Sequence, residues 1–454
     1  MTPRDAPLRD SAPATGANDA LPAAGDTAPR TALLLILTAI QFTHCLDFMI
    51  ILPLGEDLMR EFKITPAQFG QMTAAYSLAA AAAGFAAGFV MDRIPRHRAL
   101  LVLYAGLTAA TFWSALAPSF GWLVAARTIT GMCGGVAASV VGAIIADAIP
   151  PWRRGRAMAW VGSAFPVAQV LGLPAGLWFA KHHGWQSPLA ALGCVCLAVL
   201  VLAWFTLPPV RSTRAEAPPL RQMREILTTP LHIRCFIMSG ALLFAGALVA
   251  PFMAMSMEIN GGLTKDEIAL MYFCGGIVVF FTTRLFGILS DRHDKLRVLA
   301  VITPFTIAAV LAITHWQRSP LWVTYIFTTL FFVTMSGRFA PAMTMVANAI
   351  EARYRGGFMS VNAAVQQTCA SAAHVVAGLF LTAVPAATIA AGGDAGNAAG
   401  AAARTARLDG FGAVGVFASV MFVVSVFLAA WVRAAAPWAA RNFQAPEEPA
   451  AAAR

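Results

Sequence analysis

Across 454 residues the chain is 58% hydrophobic and only 12% charged, where soluble domains carry roughly 25% charged residues; a water-soluble fold has nowhere to bury that much apolar surface. The formal net charge of +10 leaves two readings, a nucleic-acid footprint or a membrane-topology signal, and the placement of the basic residues decides between them. All seven cysteines fall in apolar stretches with no C-x-x-C spacing, which speaks against a disulfide framework or a zinc site.

Taken along the chain, residues 1–30 are rich in Ala, Pro and Asp and lack the apolar core of a signal peptide, so they read as a disordered tail. Apolar runs of about 20 residues, the length that crosses about 30 Å of hydrocarbon, then recur to the C-terminus. They predict twelve spans, near 32–54, 70–91, 99–118, 122–146, 158–180, 188–208, 233–256, 267–290, 298–316, 321–345, 358–383 and 409–432. With the N-terminus inside, 22 of the 32 Lys and Arg lie in the seven inner segments, counting Arg234 at the mouth of span seven, and 7 lie in the six outer loops. Arg127, Arg284 and Arg338 remain within spans. The positive-inside rule therefore places both termini and the central loop in the cytoplasm. The basicity is topological, and no nucleic-acid partner is expected.

The predicted organisation is a cytoplasmic tail (1–30), a six-helix bundle (31–208), a cytoplasmic linker (209–231), a second six-helix bundle (232–433) and a cytoplasmic tail (434–454). Two matches support the division into halves. "GFVMDRIPRHR" from Gly88 is echoed by "GILSDRHDKLR", so that Gly88, Asp92 and Arg93 map onto Gly287, Asp291 and Arg292 with an offset of 199. Arg154 and Gly155, before span five, map onto Arg355 and Gly356, before span eleven, with an offset of 201. The fold class predicted is all-α: twelve transmembrane helices in two pseudo-symmetric bundles, an architecture of transporters with a binding cavity between the halves. The outer loop Ala386–Ala406 is low complexity and is expected to be disordered.

These residues also resemble a known family. "GFVMDRIPRHR" is similar to the loop 2–3 signature of the major facilitator superfamily, G-x-L-x-D-R-x-G-R-K/R, with Pro95 in place of its second Gly. "RTITGMCGG" (Arg127–Gly135) is similar to the fourth-span R-x-x-x-G pattern, and "LDFMIILP" (Leu46–Pro53) resembles the first-span Asp-to-Pro motif of the twelve-span drug:proton antiporters. The fifth-span antiporter pattern G-P-x-x-G-G appears only as "GLPAG" (Gly172–Gly176). The resemblance covers about residues 31–433 and implies the major facilitator fold.

Asp92 stands where a closing helix presents its negative end, which repels a carboxylate, so its partner is sought elsewhere. Pseudo-symmetry makes the start of span eleven, with Arg355, the candidate for Asp92, and span five, with Arg154, the candidate for Asp291. With Gly88, Arg93, Arg96, Gly287 and Arg292 these form an expected cytoplasmic gate, and the resemblance implies latches that hold when the cavity opens outward. The alternative is a solvated topology loop. Asp47 lies roughly 21 Å into span one and Arg127 roughly 7 to 8 Å into span four from the other side, at 1.5 Å per residue, so the two can share a level. A lone carboxylate in hydrocarbon costs at least about 2.5 to 3.5 kcal/mol, so pairing or protonation is expected. Asp47 is the candidate proton carrier, Arg127 its electrostatic partner, and His44, one turn below, and Tyr76 are its neighbours; a static pair is the alternative. Gln169, Asn362, Gln366 and Gln367 are mid-span amides and candidate substrate contacts, with helix–helix hydrogen bonding as the alternative. Arg338 is a further candidate.

The small-residue pairs Gly84/Gly88, Gly131/Gly135 and Gly172/Gly176 predict close helix approach, and Pro166 and Pro174 predict bends in span five. The adjacent His182 and His183 have no further ligands nearby in sequence, so no metal is expected. No phosphate-binding G-x-x-x-x-G-K-[ST], HExxH or GxSxG occurs, and neither a cofactor nor an enzymatic reaction is expected. The function expected is proton-coupled efflux of a small organic compound, drug or metabolite, by a monomer in a bacterial inner membrane, with the lipid bilayer, protons and the substrate as its partners. The alternative is a proton-coupled symporter or facilitator importing a metabolite, and a remote one is a membrane-embedded enzyme or receptor.

Overall fold

The structure is a computed structural model and describes residues 27–90, 94–208, 220–315, 319–351, 354–385 and 405–440. Within hydrocarbon only a chain's own ladder can satisfy its peptide groups, so the apolar runs fold as helices. The first half comprises α1 (Thr27–Ile50), the short α2 (Gly55–Phe62), α3 (Pro66–Val90), α4 (Arg96–Ala115) and α5 (Phe120–Ala148). A segmented fifth span follows, made of α6 (Pro151–Gly162), α7 (Ala164–Val167), a π turn (Ala168–Gly172) and α8 (Leu173–His183), then α9 (Gln186–Thr206). The second half has α10 (Leu220–Thr228), α11 (Pro230–Ile259), α12 (Lys265–Arg292), α13 (Lys295–His315), α14 (Leu321–Ala349) and α15 (Arg355–Phe380). A hairpin of β1 (Thr382–Pro385) and β2 (Thr405–Asp409) leads into α16 (Phe411–Ala435) and α17 (Pro437–Ala440).

Among the described residues, 10 helical stretches are long and apolar enough to cross a membrane. The other two predicted spans correspond to α3 and α15, which pack along each other where the halves meet. Facing protein for much of its length, α15 carries Asn362, Gln366, Gln367, Ser371 and His374, residues that a lipid-facing surface excludes.

Several boundaries depart from the sequence prediction. The first helix ends at Ile50, short of 54, because Pro53 has no N–H to donate and disfavours helical geometry at the residue before it. The eleventh helix ends at Phe380, and residues 382–385 pair as a strand with 405–409. Residues 386–404 lie outside the described set, but Thr405 and Ala406, expected to be disordered, belong to β2. That strand is clamped by Asn260, whose side chain donates to Leu408 O (2.9 Å) and accepts from Leu408 N (2.7 Å). Part of the 209–231 stretch, expected to be only a linker, forms α10.

An even number of spans returns the chain to the side on which it started; that side is here the termini end, and its opposite the far end. At the far end the halves touch closely. Ser371 Oγ of α15 donates to Ala74 O of α3 (2.9 Å), and a Cβ on Gly378 would come within 3.1 Å of Ala67 Cα. Phe69 meets Phe252 edge-on at 5.8 Å, and the ion pairs Asp57–Lys265 and Lys181–Asp266 join the halves. Toward the termini end, nothing lies within 4 Å of the Cβ direction at Gly84 of α3, Gly155 of α6, Gly287 of α12 or Gly356 of α15. The contacts just named close the seam between the halves at the far end. Gly131 behaves as predicted, since any Cβ there would run into the Tyr76 backbone; its absence lets α5 lie against α3.

Candidate functional site

The carbonyls of a helix's last turn have no partner within the helix, and Asp47 sits in the last turn of α1 with a carboxylate added to that negative end. One guanidinium serves both groups. Arg127 of α5 donates from Nη1 to Asp47 Oδ2 (2.9 Å) and from Nη2 to Asp47 O (2.9 Å). Thr111 of α4 donates to the remaining carboxylate oxygen, Oδ1, at 3.0 Å. The pair is sealed off, with side-chain exposures of 2% for Arg127 and 0% for Asp47. Burial of this kind is tolerated when both charges are paired and hydrogen-bonded, and here each carboxylate oxygen of Asp47 accepts one hydrogen bond.

The surrounding shell comes from three helices. Tyr76 of α3 lays its ring under the guanidinium, 4.9 Å from Arg127 Cζ, and meets Phe48 at 5.3 Å. The Tyr76 hydroxyl and His44 Nδ1 are buried with no hydrogen-bond partner among the described residues. Thr43, one turn before Asp47, shares a 2.7 Å hydrogen bond with Tyr104 Oη of α4. Sequence reasoning missed Thr111, Tyr104 and Thr43. The signal for Thr43 was its i−4 spacing from Asp47, and for Thr111 the Thr108/Thr111 repeat inside an apolar span.

The other predicted residues are dispersed. Gln169 lies on the π turn, 1% exposed, with Nε2 unpartnered among the described residues, where a Cβ on Gly276 of α12 would come within 3.3 Å of its own Cβ. Asn362 is buried and accepts a hydrogen bond from Ser239 of α11, a link inside the second bundle. Gln366, half-buried, donates to Met343 Sδ (3.2 Å), and Gln367 is also half-buried. Arg338 is fully buried and donates from Nη2 to Ser425 Oγ (2.6 Å) and Phe422 O (3.2 Å) of α16.

Of the expected gate, Asp92 and Arg93 lie outside the described residues, as do the surroundings of Gly88 and the side chain of Arg154, so each of the two predicted latches has one undescribed partner. Gly287 closes toward the end of α12, Asp291 and Arg292 are exposed there, and Arg355 is exposed at the first position of α15. Arg96 pairs within its own half, its Nε 3.4 Å from Asp147 Oδ2 at the end of α5; Asp147 was not singled out from the sequence.

Two matched helix bundles that meet closely at the far end, one of them holding a buried ionisable pair, have the build of a membrane transporter. The chain belongs to the Major Facilitator Superfamily, whose sequence profile matches residues 37–374. It is 24% identical over 263 residues, 57% of this chain and 67% of that one, to a "Probable sugar efflux transporter" of Helicobacter pylori (strain G27). It is 26% identical over 297 residues, 65% of this chain and 74% of that one, to a "Chloramphenicol resistance protein" of Streptomyces lividans. The solved structure of a bacterial homolog to the human lysosomal transporter Spinster, in an inward-facing and occupied conformation, matches with a TM-score of 0.70 at 18% identity. That likeness, one of fold, covers 92% of this chain and 100% of the other.

Proposed function

We propose that the protein is a proton-coupled exporter of a small organic compound, working by alternating access, with Asp47 as the proton carrier and Arg127 as its counter-ion. The observation that carries this reading is the buried Asp47–Arg127 pair in the form shut at the far end. Asp47 can take a proton only by loosening its hold on Arg127, and the guanidinium then needs a different environment. That difference in free energy between two protonation states is what a coupled two-state machine requires. His44 and Tyr76 stand beside the exchange, and Gln366 and Gln367, half-buried on α15, are the proposed substrate contacts.

Charge placement supports a cytoplasmic termini end in a bacterial inner membrane; with the far end closed, the form described is then one in which an exporter loads its substrate from the cytoplasm. The gate residues of the two charged loops are the groups proposed to pair when the termini end shuts. Export is further supported by the efflux and resistance functions in the names of the two relatives, and the protein acts as a monomer.

The test is a pH-gradient assay in everted membrane vesicles, with chloramphenicol and sugars in the compound panel. A transported compound is expected to release protons from wild-type vesicles and to release none with Asp47→Asn. A variant with full activity and an unchanged proton ratio removes Asp47 from the mechanism. Alkalinisation of the medium as whole cells take up a compound replaces export by import.

A further inference from the structure

The far end holds a second ionisable cluster, and it is built from both halves. Glu56 and Asp57 stand in the first turn of α2, Glu258 is next to the last residue of α11, and Lys265 is the first residue of α12. Asp57, nearly buried, pairs across the halves with Lys265 and along its own helix with Arg60 at 3.0 Å. Arg60 also comes within 3.9 Å of Glu56. Glu258 is left without a cation to itself: it lines one cavity with Glu56, Asp57, Arg60 and Lys265, and Glu56, Lys265 and Asp57 are the charges it feels. Its Oε2 is buried with no donor among the described residues.

Two ionised carboxylates facing one cavity across the seam repel each other, and a proton bound by either removes that repulsion and supplies a donor for the other. The charge balance asks for the same proton. Three acids, Glu56, Asp57 and Glu258, face two cations, Arg60 and Lys265, so a single bound proton makes the cluster neutral. The remaining charges nearby do not alter that balance: Lys181 of α8 is paired with Asp266 of α12, and Glu61 is exposed on the rim. A cavity of about 450 Å³ adjoins the cluster and is lined by both carboxyls, ample room for water to deliver or remove a proton.

We infer that Glu56 and Glu258 form a proton-binding site shared between the halves, occupied when the far end is shut and emptied when it opens. With the proton bound, the carboxyls bridge the halves beside the Asp57–Lys265 pair. Without it, Glu56 and Glu258 repel across the seam and Asp57 adds to the repulsion, so acid favours the shut form and alkali the open one. The site shares no residue with the Asp47 network and stands whether or not Asp47 carries the coupled proton.

The test measures the separation of the halves in the full chain in lipid nanodiscs, by energy transfer between genetically encoded fluorescent amino acids at the exposed Ser119 and Leu321. In the wild type the separation is expected to lengthen as pH rises. In Glu258→Gln and, independently, Glu56→Gln, a neutral amide replaces the protonated acid and the distance is expected to stay short at every pH. Glu61→Gln, at the exposed rim of the same end, is expected to keep the wild-type response. A wild type indifferent to pH, glutamine variants at 56 and 258 that follow the wild-type curve, or loss of the response in Glu61→Gln overturns the site.

Discussion

Each bundle buries one guanidinium in its fourth long helix, Arg127 of α5 in the first half and Arg338 of α14 in the second, and the two are held differently. Both have an aromatic ring close by, Tyr76 at 4.9 Å and Phe422 at 4.4 Å. Arg127 meets a carboxylate and the carbonyl of the same residue. Arg338 meets a carbonyl and a hydroxyl, and its Nε and Nη1 have no hydrogen-bond partner among the described residues. On the proposed reading, the first arrangement is the one that a proton bound at Asp47 would undo. The second holds its guanidinium with no carboxylate beside it among the contacts described. The halves share a helix plan but not an electrostatic one.

The sharpest way to break this contrast is Arg127→Met, which strands a carboxylate in a sealed site. Removing one member of a buried pair costs about 3 to 5 kcal/mol, so unfolding in nanodiscs is expected to shift by that amount and proton-linked transport to vanish. A variant as stable as the wild type would mean that Asp47 is already neutral in this form. Thr111→Val comes next. It deletes the donor to Asp47 Oδ1 and is expected to cost about 1.5 to 3 kcal/mol, the range for hydrogen bonds to charged groups, in the same assay. Phe422→Leu takes away the ring beside Arg338 and is expected to cost roughly 1 kcal/mol through the lost cation–π contact, beyond the change in packing that Phe→Leu makes at a control site. Smallest is Arg338→Met, expected to alter stability by no more than about 1 kcal/mol, because the desolvation regained offsets the bonds lost. If Arg338→Met matched the loss seen with Arg127→Met, the two sites would be alike after all.

Much of the helix plan was legible because hydrocarbon imposes both length and composition on a span, and the echo of Gly88/Asp92/Arg93 at Gly287/Asp291/Arg292 exposed the repeat. Asp47 and Arg127 could be placed at one level by counting residues, since a helix rises evenly and charges inside it are rare enough to be noticed. The second network around that pair was harder to see: Thr43, Tyr104 and Thr111 are mild side chains whose importance comes from which helices touch. The far-end cluster was hidden for the opposite reason. Glu56, Asp57, Glu258 and Lys265 sit near span ends, where charge is usual for orientation and solvation, and only the folding of α2 against the α11–α12 corner makes them neighbours. The hairpin was missed because an Ala- and Gly-rich loop gives no alternation, and its second strand is pinned by Asn260, more than a hundred residues upstream.

The π turn at Ala168–Gly172 has a mechanical consequence. Where it crosses the seam, main chain lies against a glycine: a Cβ at Gly276 would come within 3.1 Å of Val170 N and closer still to the Val170 side chain. Any side chain at position 276 would meet both that main chain and the Val170 side chain, so the two halves can lie this close at the π turn only while a glycine stands there.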